Sequence, residues 1–290
     1  MAAAAPRLSI VIASHDARAT IIECLDSVRR QVGADTEVLL VDNSTDGTAV
    51  IARERFADLH VLDRPPAALI PELWAEGIRA SRGDVVAITT AHCVPGERWA
   101  GTMLDALGGP AAAVGGAIDN DPGGSVVDWA IYFCRYASYM PPLREGFTDE
   151  IAGDNAAYRR RALDACAEVW REGFWETAVH AELHRAGERL WLAPEAVVTH
   201  KRSYGFAAFL RQRFVHGTRY ARGRSRQIGA GGRLLRVLAS PLVPGVLLVR
   251  IVRQVRHRRR HGVQLVRSLP LVLAFLTAWT CGELIGYARG

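Results

Sequence analysis

The sequence predicts an α/β protein with a mostly parallel central sheet flanked by helices, and three features predict it. Short β-branched runs alternate with amphipathic stretches over the first hundred residues. Runs such as LSIVIA (8–13) and VLLVD (38–42) are apolar without alternation, as in strands covered on both faces. A chain of 290 residues with 49% hydrophobic and 23% charged content can form one large domain, or a domain with an appendage, and is not a disordered, collagenous or disulfide-scaffold sequence.

Taken in order, Leu8–Ala13 is the first strand and Thr20–Arg30 the first helix; Glu37–Val41 precedes Thr48–Phe56, His60–Leu62 precedes Leu69–Ser81, and Val85–Thr89 precedes Arg98–Leu107. This βαβα order implies right-handed crossovers, with ligands bound beyond the C-terminal strand ends. Ser14–Asp16, Asp42–Asn43, Asp63 and Thr90–His92 occupy those ends. Farther on, Ala111–Ile118 and Ile151–Tyr158 read as strands, the second able to pass close to a ligand at Gly153. Helices are expected near Arg161–Trp170 and Glu176–Ala186, short strands at Leu190–Ala193 and Ala196–Thr199, and a basic amphipathic helix at Phe206–Arg222.

Charge divides the chain. Residues 1–200 carry 18 Lys/Arg against 29 Asp/Glu, or −11, whereas residues 201–290 carry 18 against 1, or +17. The two parts therefore face different partners. Five scattered cysteines without a C-x-x-C pair suggest a reducing compartment, and Met1–Arg7 lacks the order of a signal peptide, so the catalytic part is expected in the cytoplasm.

Neither G-x-G-x-x-G nor G-x-x-x-x-G-K-[ST] occurs in a strand-to-helix turn, which disfavours a nicotinamide dehydrogenase and a P-loop ATPase. A carboxylate at a parallel strand end is the better nucleotide ligand, since it accepts hydrogen bonds from a pyrimidine N–H or a ribose hydroxyl. Asp42 has that position; Asp42-Asn43-Ser44 could equally be a turn that caps the next helix.

LSIVIASHDA (8–17) and VLLVDNSTDGT (38–48) resemble the first two motifs of family 2 glycosyltransferases, which have the GT-A fold. The resemblance covers roughly residues 7–220 and implies a sugar transferase that uses a nucleotide-diphosphate donor. It assigns Ser14, Asp16, Asp42, Asn43 and Thr90 to the donor, and Asp154 and Asn155, in Gly153-Asp-Asn-Ala-Ala-Tyr-Arg-Arg160, to the acceptor side. The family's metal-binding D-x-D is replaced here by Thr90-Ala91-His92, followed by a family-like Cys93-Val94-Pro95 and Trp99. His92 could be a metal ligand, a phosphate donor or a satisfied polar residue, and His200, closing PEAVVTH, matches a histidine that some GT-A enzymes place on the metal. Mg²⁺ prefers oxygen ligands, so two imidazoles suit Mn²⁺ better. The family's Arg-Asn before Gly-Ile reads Trp74-Ala75-Glu76.

Glu176, eleven residues before Gly187, matches the family's catalytic base at a helix start. Inverting transfer needs such a carboxylate to take the acceptor proton. His180 lies one turn on, where it could orient Glu176 or join a metal site; an ordinary Glu–His surface pair has the same spacing. A GT-A module that has lost its metal site and only binds remains the alternative. A nucleotidyltransferase is disfavoured, since Ser14–Thr20 holds no glycine and only Arg18.

The tail has two apolar stretches, Leu234–Val252 and Leu269–Cys281, around seven arginines at 250, 253, 256, 258, 259, 260 and 267. The second is shorter than a bilayer span unless it extends through Glu283 to Tyr287, and Pro241, Pro244 and Gly245 invite a break in the first. Helices lying in or dipping into the cytoplasmic leaflet are expected, with the arginines on anionic headgroups; a two-span hairpin is the other arrangement. No nucleic-acid pattern accompanies the arginines. The expected division is a transferase domain at 1–222 and membrane-associated helices at 223–290, with a glycan or lipid-linked acceptor as the second partner.

Overall fold

The computed structural model describes residues 5–201, 204–225 and 228–289; Met1–Ala4, part of the start read above as lacking a leader, lie outside them. Two compact units emerge, one covering Met1–Asp121 and Pro141–Ser203, the other Pro122–Met140 and Tyr204–Gly290. The expected boundary at 222 thus differs from the observed one on two counts. Residues 206–225 form a helix that packs with the tail helices, and residues 122–140 leave the sheet unit to join them.

The first unit holds one nine-stranded sheet. Its strands are β1 (Leu8–Ser14), β2 (Thr36–Asp42), β3 (His60–Asp63), β4 (Val85–Thr90), β5 (Cys93–Pro95), β6 (Ala113–Asn120), β7 (Gly146–Thr148), β8 (Asn155–Arg159) and β9 (Leu190–His200). They run in the order β3-β2-β1-β4-β8-β6-β9-β5, with β7 paired to β9. The parallel pairing read from the sequence holds for β3-β2-β1-β4 and returns at β6/β9, while β8, β5 and β7 are antiparallel. The two short strands expected at 190–199 are one strand, irregular where β6 shifts register between Gly116 and Ile118.

The helices α1 (Ile21–Arg29), α2 (Thr48–Arg55), α3 (Ile70–Ala80) and α4 (Trp99–Leu107) link the early strands. In the second unit α5 spans Val126–Tyr136, a helix not read from the sequence. Its start is a capping box, with Ser125 Oγ accepting from Asp128 N–H and the Asp128 carboxylate returning to Ser125. Three helices follow in the first unit: α6 (Arg160–Ala165), α7 (Ala167–Trp170) and α8 (Glu176–Arg185). β1 is buried along its whole length, and Val11 and Ala13 join Leu73, Trp74 and Ile78 of α3 in one core with Tyr158 and Phe174.

The second unit continues with α9 (Phe206–Ser225), α10 (Ala230–Ala239), α11 (Val243–Arg258) and α12 (Gly262–Arg289). The break expected at Pro241 is a single 3₁₀ turn, Ser240–Leu242, between α10 and α11. The second apolar stretch is not short: α12 runs unbroken for 28 residues, about 42 Å, through Pro270 and Glu283. Along this length it lies close against α9. A Cβ on Gly282 would lie 2.1 Å from the Phe214 carbonyl oxygen, one on Gly286 2.6 Å from that of Thr218, and one on Gly217 2.4 Å from that of Trp279. Small residues thus let the two helices approach backbone to backbone. Ala230–Arg258 and Gly262–Arg289 are both long and apolar enough to cross a membrane, and with only 11% and 33% of their most apolar stretches buried, neither is a core helix.

Candidate active site

The register of the parallel strands places the chemistry. Ser14 pairs with Asp42, Asp42 with Asp63, and Ala13 with Thr90, so the C-terminal edge presents these residues in a row. Asp42 and Thr90 flank β1 two strand spacings apart, about 10 Å. Ser14 Oγ is fully buried at this edge and has no hydrogen-bond partner among the described residues. Asp42 is buried, its two carboxylate oxygens accepting from Ser44 Oγ at 2.6 Å and Ser44 N–H at 3.2 Å. The turn geometry is therefore present, and one bond per oxygen leaves Asp42 further acceptor capacity.

The loops after β1 and β2 are stitched together. Exposed Asp16, at φ 48°, accepts from Thr45 N–H at 2.9 Å and donates its own N–H to Ser44 Oγ. Asp46 accepts from Arg18 N–H at 3.0 Å and from Thr48 N–H, starting α2. Asn43 acts as a brace: its amide donates to the Ala68 carbonyl at 2.6 Å, and its Oδ1 faces His15 Nδ1 at 2.9 Å. Its side chain is thus engaged by the loops.

At the end of β4, Thr90 Oγ1 donates to Asp154 Oδ1 at 3.0 Å, and Thr89 Oγ1 donates to the Asp154 carbonyl. A carboxylate therefore stands beside the D-x-D position, supplied by the turn into β8 rather than by β4 itself. The preceding residue carries the second carboxylate: Gly153 N–H donates to Glu176 Oε1 at 3.2 Å. A Cβ at 153 would sit 2.6 Å from that oxygen and 2.9 Å from the Trp74 ring, so only glycine lets Glu176 seat there. Trp74 is pinned by its indole N–H on the Thr89 carbonyl at 2.8 Å.

Two expected site residues are structural. Asn155 is fully buried; its carbonyl accepts from Trp99 Nε1 at 2.7 Å, and its amide donates to the carbonyls of Ala117 and Ala196, each at 2.8 Å. With both amide hydrogens spent it clamps β6, β8 and β9 and does not contact an acceptor. His180 is a core residue, its Nε2 2.9 Å from Tyr158 Oη, and burial, helped by His184, lowers its pKa to about 4. It remains neutral in the core and neither orients Glu176 nor joins a metal site.

The histidines read as metal ligands are likewise engaged. His92 Nε2 lies 3.0 Å from the His15 carbonyl, which fixes the ring hydrogen on that nitrogen, and His200 Nδ1 lies 3.0 Å from Asn120 Oδ1. Each ring thus has one nitrogen held by a protein partner. Among the described residues no group of three or more His, Cys, Asp or Glu could hold a metal ion. Burial raises the Cys24 thiol, with Cys93 and Glu23 adding to it, and likewise raises Cys166 to about 11, so neither is a nucleophile at neutral pH.

Sequence reading missed His15 and Tyr158, which hold His92 and His180 from 77 and 22 positions away, and it named Trp99 without its bond to Asn155. No local pattern signals such pairs. Asp46 was legible, since an acid two residues before Thr48 is a helix-start signal.

Residues 9–166, more than half of the sequence, match the family described as Glycosyl transferase family 2. The chain belongs to that family. Among solved structures it is similar to the mannosyltransferase PcManGT from Pyrobaculum calidifontis, determined in complex with GDP-Man and Mn²⁺, at 18% identity and a TM-score of 0.60, over 97% of this chain and 87% of that one. A second, titled only as a mycobacterial protein, is 20% identical with a TM-score of 0.52, over 73% of each chain. At these identities both show the GT-A fold alone. A search of curated proteins returned no match.

Proposed function

We propose that this family 2 member is an inverting glycosyltransferase that moves a sugar from a nucleotide-diphosphate donor to an acceptor hydroxyl. The acceptor oxygen attacks the anomeric carbon, the bond from that carbon to the diphosphate oxygen breaks, and the acceptor proton passes to the Glu176 carboxylate. The electron pair and negative charge leave with the nucleoside diphosphate. The observation that carries this reading is the pair of carboxylates held at the turn into β8, Glu176 on Gly153 N–H and Asp154 on Thr90 Oγ1. Asp42, at the other end of the row, accepts from the base or ribose.

Family membership supports transfer, and the GDP-Man in the PcManGT complex supports a nucleotide-sugar donor. The two long apolar helices support membrane association, with a glycan, cell-surface polysaccharide or lipid-linked acceptor. Three free cysteines in the sheet unit, Cys24, Cys93 and Cys166, support a reducing, cytoplasmic setting for it. The Mn²⁺ in the PcManGT complex supports a divalent cation acting with the donor diphosphate.

The test is to incubate the full chain with UDP-, GDP- and dTDP-sugars, with Mn²⁺ or Mg²⁺ and with EDTA, following thermal protection and donor hydrolysis. At least one donor should protect the wild type, and Asp42→Asn should weaken that donor's binding about tenfold, the loss of about one charge-assisted hydrogen bond. Indifference of the wild type to every donor under every metal condition would refute the proposal.

A further inference from the structure

The helical unit encloses a cavity of about 400 Å³ between α5, α9, α11 and α12 that the transfer reaction does not use. Its lining is divided by chemistry. Phe133, Leu247, Ile251 and Leu276 are apolar, whereas Arg135, Arg213 and Arg250 face the same space with a single carboxylate, Glu283. The lining therefore carries three positive charges against one negative. Arg213 is the central group. Its Cζ lies 4.2 Å from the centroid of the Trp279 ring, and its Nε is fully buried without a hydrogen-bond partner among the described residues. A buried guanidinium N–H left unsatisfied is costly, and an anionic oxygen is the acceptor that suits it best.

The positive field extends beyond the cavity wall. Burial, together with the Arg213, Arg135 and Arg219 guanidiniums, pushes His216 on the same helix down to about 3. Burial lowers Arg213 itself to about 10, so it remains charged at neutral pH. The exterior of the unit tells against a small soluble anion as the natural occupant. Leu235, Leu238 and Leu242 are 68%, 69% and 70% exposed on α10 and the turn into α11, the surface of a unit adapted to an apolar medium.

We propose that this cavity binds one phosphate-bearing lipid, its headgroup held by Arg213, Arg135 and Arg250 and its first methylenes by the apolar lining. The cavity is lined by residues of the helical unit, whereas Asp42, Asp154 and Glu176 belong to the sheet unit, and its occupancy does not depend on the transfer reaction proposed above. A cavity of this size takes a headgroup and the start of its chains, within the range of small-molecule sites.

The test uses the full chain, delipidated in detergent, titrated with short-chain phosphatidic acid, with phosphatidylcholine of the same chain length and with inorganic phosphate. Phosphatidic acid should bind saturably with one site per chain and at least tenfold more tightly than either of the others. Arg213→Gln and Arg250→Gln should each weaken it about tenfold or more. Arg253→Gln, on α11 but outside the lining, should leave it unchanged. Arg250 is exposed, so its substitution tests the site even if Arg213→Gln fails to fold. Equal affinity for phosphatidylcholine, equal affinity for inorganic phosphate, no effect of Arg250→Gln, or an equal loss in Arg253→Gln would each overturn the proposal. The last would mean diffuse attraction by the basic surface rather than a built cavity.

Discussion

The sheet unit and the helical unit place their polar groups by different means. In the sheet unit, strand register sets Asp42, Ser14 and Thr90 in a row, and hydrogen bonds from neighbouring turns orient each one. In the helical unit no register exists; α9 and α12 are locked by glycine contacts, and arginines collect where the helices leave space. The difference teaches where each unit is vulnerable. The first loses function when a small shift disturbs a carboxylate, and the second loses stability when helices are forced apart.

The largest effect is expected at Gly153. Gly153→Ala puts a Cβ 2.6 Å from Glu176 Oε1, so the carboxylate must move while the strands keep their pairing. Transfer should fall about 100-fold, since a displacement of about 1 Å can cost this much, with the melting temperature little changed. Equal turnover by wild type and variant, measured with the donor that protects the wild type, would mean that Glu176 is not the group that needs this seat.

In the helical unit, Gly282→Val should destabilise by about 1–3 kcal/mol through overpacking against the Phe214 carbonyl, while the sheet unit still binds donor. Chemical denaturation followed beside a donor-binding assay separates the two outcomes. Loss of donor binding in the folded variant would show that the units are not independent in this respect.

A smaller effect belongs to His180. Its folded-state pKa, about 4, lies below the ordinary 6.5, so the unfolded chain takes up a proton first as pH falls. This group costs no stability above pH 6.5, an increasing amount between 6.5 and about 4, and a constant amount below that. Denaturant midpoints measured across this window should fall more steeply for the wild type than for His180→Gln. Parallel curves would remove His180 from the account of acid sensitivity.

Much of the sheet unit was legible because its signals are local. LSIVIA and VLLVD are buried strands, and strand ends carry the polar residues. Asp154 was legible as a polar residue after glycine but not as the partner of Thr90, because that contact closes 64 residues of chain. Asn155 and His180 were misread for one reason: a polar side chain saturated by buried partners has the same sequence as one offered to a ligand. In the tail, the apolar stretch ends at Cys281, and α12 takes the extension through Glu283 to Tyr287, where Gly282 and Gly286 fit against α9. The missed α5 had a local signal, Ser125-x-x-Asp128 before an apolar run.

The central claim is that Glu176 takes the acceptor's proton while residues at the sheet edge hold the donor. Glu176→Gln keeps the shape of the side chain and removes its basicity, so donor affinity and transfer rate measured on this one variant test the claim most directly. Donor binding within about twofold of wild type, with transfer reduced by about 100-fold or more, is the predicted result. Undiminished transfer would contradict it.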